Sequence, residues 1–71
     1  MNKIDLHGLT ESEAIPKISM AFMDLENGHS SIEIVTGNGQ VLGNLVFDMA
    51  SREGYRAEYN GSNTGSIIVY A

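Results

Sequence analysis

The stretch Ile4-Asp5-Leu6-His7-Gly8-Leu9-Thr10 constrains this chain more than any other. Ile4 and Leu6 alternate with Asp5 and His7, the period of a strand with one buried face. Gly8 then admits a sharp turn that a side chain would resist. Thr10-Glu11-Ser12-Glu13 follows as a capping box, in which the Thr10 hydroxyl accepts from the Glu13 amide and the Glu13 carboxylate accepts from the Thr10 backbone N–H. Strand, turn and helix start therefore bring an imidazole and a helix N-terminus together. A site is expected there.

Apolar spacing predicts a helix from Thr10 to about Glu26, its stripe made of Ala14, Ile18, Ala21, Phe22 and Leu25. Pro16 falls in the second turn, where it removes one hydrogen bond, and a kink or an irregular first turn is expected. Asn27-Gly28 supplies the stop. Ser31 to Thr36 is a β-branched strand through Ile32, Ile34 and Val35. A tight loop, Thr36-Gly37-Asn38-Gly39-Gln40, leads into a second helix from Val41 to Glu53, closed by Gly54. Tyr55 to Tyr59 alternates as an edge strand does, Asn60 to Gly65 is turn chemistry, and Ser66 to Tyr70 reads as a more central strand.

The order βαβαββ predicts an α/β (α+β) two-layer sandwich: a four-stranded mixed sheet whose right-handed crossovers put both helices on one face. The open face then carries Asp5, Glu33, Ile68 and Tyr70. If the first two strands are parallel neighbours, His7-Gly8 and Gly37-Asn38-Gly39 meet at one end of the sheet. Both helix N-termini open at that end, the end where α/β sheets bind ligands and helix N-termini favour anions.

Charge and composition narrow the partners. With 71 residues, 42% of them apolar, the chain is expected to form a single domain, spanning residues 1–71, with a thin core. It has no cysteine, which excludes disulfides and thiolate zinc sites and agrees with a cytoplasmic address. No apolar run is long enough to span a membrane, so no membrane partner is expected. The net charge is −5, with Lys3, Lys17, Arg52 and Arg56 set against nine carboxylates. Strong general binding of nucleic acid, which rests on several Lys or Arg contacts to phosphate, is disfavoured.

Ile4-Asp5-Leu6-His7-Gly8-Leu9-Thr10, followed about thirty residues later by Val35-Thr36-Gly37-Asn38-Gly39, resembles the Smr (small MutS-related) domain family. That family has a Leu-Asp-Leu-His-Gly type first motif and a His/Thr-Gly-x-Gly second motif. Gly61-Ser62-Asn63-Thr64-Gly65-Ser66-Ile67-Ile68-Val69 is similar to its glycine-rich turn before the last strand. The resemblance implies a fold like the C-terminal domain of translation initiation factor three, with the last strand inside the sheet and antiparallel. It also implies a nicking or cleaving activity on DNA or RNA. By motif, Asp5 and His7 would be the catalytic pair, and Gly8, Thr36, Gly37, Asn38 and Gly39 would face the substrate phosphate. Where the family often carries Lys or Arg in or after the second motif, this chain has Asn38, Gln40 and Val41.

Each candidate has a plainer alternative. His7 is a general acid or base, or a strand-end histidine that bonds the neighbouring glycine loop. Asp5 orients His7, recruits a divalent metal or activates water, or is a solvated carboxylate near Lys3. Two such ligands are too few to hold a metal tightly, and Glu33 is the candidate third. The Gly37-Asn38-Gly39 loop cradles phosphate with its amides, or is an ordinary strand-to-helix turn. Met20, Met23, Phe22 and Phe47 are expected in the core, His29 on the surface. Tyr55, Tyr59 and Tyr70 either line the open face as a base-stacking platform or pack on the sheet. The acidic balance and the uncharged residues beside Gly39 fit a second functional class as well: a non-catalytic acidic binding or assembly module on the same scaffold, or one domain of a longer MutS-related protein.

Overall fold

The computed structural model describes residues 2–71. In chain order the elements are β1 (Asn2–Asp5), α1 (Glu11–Glu26), β2 (Ser31–Val35), α2 (Gln40–Arg52), β3 (Arg56–Asn60) and β4 (Asn63–Tyr70). They form one mixed sheet of order β1-β2-β4-β3, with β1 parallel to β2 and β4 antiparallel to both its neighbours. This is the expected α+β fold, with the apolar last strand inside the sheet and the alternating β3 at its edge.

Strand periodicity decides which side the helices cover. Ile32 and Ile34 of β2 pair with Val69 and Ile67 of β4, and all four are buried on one face. Against them pack Ala14, Ile18, Ala21, Phe22 and Leu25 of α1 and Leu42, Val46 and Ala50 of α2. The side chains between these positions, Glu33, Ser66, Ile68 and Tyr70, belong to the other face. That face is not simply wet, because Ile68 is buried, in register between Glu33 and Glu58.

Helix ends follow the chemistry of their caps. The Thr10 box is complete: the Glu13 amide donates to Thr10 Oγ1 at 3.3 Å, and the Thr10 amide donates to Glu13 Oε1 at 2.9 Å. These bonds hold the Glu13 carboxyl below its ordinary range. Both C-termini close with paired bonds of the Schellman type, His29 to Asp24 and Gly28 to Leu25 in α1, Tyr55 to Ala50 and Gly54 to Ser51 in α2. Pro16 sits inside an unbroken α1. Its missing N–H leaves the Ser12 carbonyl without an i+4 donor, and both residues lie on the exposed side of the helix, where an unpaired carbonyl costs least.

Thr10→Ala is expected to cost about 1 kcal/mol, read as a lower midpoint in urea. The pH dependence has a definite sign. Glu13 has a lowered value when folded, so its contribution is present above the ordinary carboxylate range and fades as pH falls through the folded value. The gap between wild type and T10A should therefore shrink in acid.

Two expectations are corrected. Met20 and Met23 are 69% and 55% exposed, because they fall out of phase with the 14-18-21-22-25 stripe; of that apolar group only Phe22 is buried and Phe47 half-buried. The last turn is also shorter than Asn60 to Gly65. Asn60 pairs with Asn63, so Gly61-Ser62 alone makes the turn, and β4 runs for eight residues.

Candidate functional site

At the end of β1 the Asp5 carboxylate accepts the His7 backbone N–H at 2.8 Å, while the Leu6 amide still donates to the Val35 carbonyl at 2.7 Å. The chain is thus held in the sheet through Leu6 and released at His7. Leu6 is fully buried, and His7 and Gly8 are exposed. Asp5 touches the main chain of His7, forming a short Asx-type turn.

The parallel neighbour β2 ends at the same rim. Thr36 is buried, and the Thr36 and Gly37 amides both donate to the Gly65 carbonyl, at 2.8 and 3.1 Å. Gly37 has φ +76, and a methyl group built on it would stand 3.0 Å from His7 Cδ2. The imidazole therefore lies edge-on against a backbone bare of side chain. His7 and the glycine loop, thirty residues apart in sequence, are neighbours, as the parallel pairing requires.

The two helix N-termini at this rim are not equivalent. In α1 the capping box takes up the Thr10 and Glu13 amides, and Glu11 and Glu13 put negative charge in the first turn. α2 starts at Gly39, which offers no side-chain cap, and its first turn has no acidic residue. The amides of its first turn keep the donor capacity that a helix N-terminus presents to an anion. Gly39 and Asn38 do not adopt positive φ; in this loop only Gly37 does.

Gly65 is the rim residue that motif reading assigned to a turn. A methyl on it would meet Gly37 O at 3.1 Å and Asn63 Oδ1 at 3.3 Å. The Asn63 side chain accepts the Gly65 amide at 2.9 Å, inside β4. The available signal was a glycine next to an apolar strand, which often marks close approach of another backbone.

Other candidates are dispersed. Glu33 accepts the Ser66 hydroxyl at 2.6 Å and an Asn60 amide N–H at 3.4 Å, in register with Lys3 and not with Asp5. Among the described residues no three His, Asp or Glu side chains gather as metal ligands, so Glu33 does not complete a set with Asp5 and His7. The tyrosine platform does not form. Tyr55 and Tyr59 pack edge-on against Phe22 and Phe47, with ring centroids 5.3 and 5.2 Å apart. Tyr70 lies under the Arg56 guanidinium, 4.4 Å from the ring centroid. Arg56 and Tyr70 pair opposite Ser31, at the far end of the sheet from the rim, and Lys3 sits beside Glu33. His29 is exposed.

Two helices on a βαβαββ mixed sheet, with a Leu-His-Gly turn pressed against a Thr-Gly-x-Gly loop, define a small α+β domain with a backbone-lined rim. The Smr domain family matches residues 4–71, essentially the whole chain, and the protein belongs to that family. Comparison with curated proteins and with solved structures gives no match. No helix among the described residues is long and apolar enough to cross a membrane.

Proposed function

We propose that this Smr domain binds a phosphodiester at the His7–Gly37 rim and nicks it. The family is associated with nuclease and nucleic-acid-binding activity. The observation that carries the reading is the His7 ring seated against Gly37, one turn of loop away from the uncapped start of α2. Amides of the α2 first turn, with those of Gly39 and Asn38 before them, hold the non-bridging oxygens, while Gly37, whose own amide is taken by the Gly65 carbonyl, keeps the approach clear of a side chain. His7 takes a proton from the attacking oxygen or gives one to the leaving oxygen, and in its protonated form it offsets charge developing on phosphorus. Asp5 is the positioning residue: it fixes the main chain at His7. Gly8 and Thr36 shape the two sides of the rim.

Nicking of supercoiled DNA and of structured RNA by the purified protein at low salt tests the reading. Cleavage of either supports it. Its footprint should be small. Arg52 is paired with Asp48 near the end of α2 and Arg56 lies at the far end of the sheet, which leaves Lys3 and Lys17 nearest to β1. The slope of log affinity against log salt is expected to be no steeper than about −2, and a slope near −5 would place the contacts elsewhere.

The second reading, a non-catalytic acidic assembly module, draws on the net charge of −5 and on the uncharged Asn38, Gln40 and Val41. Absence of both binding and cleavage on every substrate would select it.

A further inference from the structure

The sheet leaves two edges, β1 and β3, and they differ in what they offer a partner. On β3, Arg56 and Glu58 already hold Tyr70, one over its ring at 4.4 Å and one accepting its hydroxyl at 3.2 Å, and the register slips at Tyr59–Asn60. On β1 the cation is free: the one ion pair among the described residues is Arg52–Asp48, and neither Lys3 nor Lys17 takes part in one.

Backbone parity makes the β1 edge specific. The Leu6 amide points at β2, so Ile4 shares that direction, and Lys3 and Asp5 turn their amides and carbonyls outward. A strand laid antiparallel to β1 about Ile4 would meet both residues in hydrogen-bonded pairs. If that strand is another β1, Lys3 falls opposite the partner's Asp5 and Asp5 opposite the partner's Lys3. Opposite charges in directly facing positions stabilise such pairs.

The helix beside the edge repeats the pattern. A groove lined by Ile4, Asp5, Lys17, Met20, Ala21 and Asp24 runs between β1 and α1. The Asn2 side-chain amide donates to Asp24 Oδ2 at 2.6 Å, which puts Asp24 at the start of β1 and Lys17, two helical turns earlier, toward its end. Met20 lies between them and is 69% exposed. A two-fold axis through Ile4 would turn the Lys17 end of one helix toward the Asp24 end of the other, with Met20 against Met20.

We propose that the β1 edge and the adjoining face of α1 bind a second copy of this chain about a two-fold axis, extending the sheet across the pair. This goes beyond the nuclease reading and stands without it. Strand and helix are each self-complementary in charge about the same point, as an isologous interface requires. The contact is small, so the pair belongs among weak, reversible dimers.

Sedimentation equilibrium at near-millimolar concentration tests it through a charge swap. K3D gives an edge acidic at both outward positions, and D5K gives one basic at both, so each variant alone should be monomeric. Mixed in equal amounts, they should return to twice the chain mass, because every facing pair is again opposite. M20E, at an exposed site that leaves folding intact, should also split the wild-type dimer. A wild-type protein that stays monomeric overturns the proposal, as does a dimer indifferent to K3D and M20E. A mixture of K3D and D5K that remains monomeric overturns it too.

Discussion

His7→Ala is expected to lower nicking by at least about 100-fold while the melting temperature stays where it was. The side chain is exposed and none of the side-chain hydrogen bonds among the described residues uses its ring. The His7 backbone amide donates to Asp5, and alanine keeps that bond. Truncation therefore removes the imidazole and leaves the rim. Unchanged nicking by the variant, prepared free of contaminating nuclease, would remove His7 from the chemistry.

Asp5 separates from His7 in the same assay. Asp5→Asn keeps an oxygen that can accept the His7 amide, whereas Asp5→Ala does not. A positioning role predicts that D5N retains most of the rate and D5A loses much of it. Equal loss in D5N and H7A would mean that the carboxylate charge acts on the substrate directly, as one of a catalytic pair.

Much of this was legible in residue order because local rules and tertiary structure agree. The capping box at Thr10, the stop at Gly28 and the β-branched run of β2 each specify their own geometry from neighbours in sequence. Order then sufficed to place His7 beside Gly37, since two parallel strands that each feed a helix must end at the same rim. Helical phase was less secure. Met20 and Met23 are as apolar as a core residue, but 100° per residue carries them past the edge of the buried stripe. Turn-type residues misled in β4, where Asn63-Thr64-Gly65 has loop composition and is extended in the fold. Composition cannot reveal that the Asn63 side chain holds the Gly65 amide, or that Gly65 accepts from two amides of another loop. The fate of Glu33 was hidden for the same reason: its partner Ser66 comes from a strand whose register no local signal sets.

Gly65→Val is expected to be the most damaging single change at the rim. Gly65 is buried, and its Cβ would stand 3.1 Å from Gly37 O and 3.3 Å from Gly37 C, which are backbone atoms that no rotamer change can move. The valine methyls would press further into the same loop. Overpacking of this kind costs on the order of 3 kcal/mol. A domain of this length holds roughly 4–10 kcal/mol in all, so a large share of its stability is lost. The melting temperature should fall by roughly 10–25 °C. Gly65→Ala, which adds the Cβ alone, should fall between the two. The damage has a local signature as well, since the amides of Thr36 and Gly37 both donate to the Gly65 carbonyl. Their hydrogen exchange should accelerate in G65A, under conditions where exchange in the buried turns of α1 is unchanged. Phosphate affinity at the rim should fall with it. A valine variant that melts within about 2 °C of wild type would show that β4 and the glycine loop are not in the close contact from which the site is built.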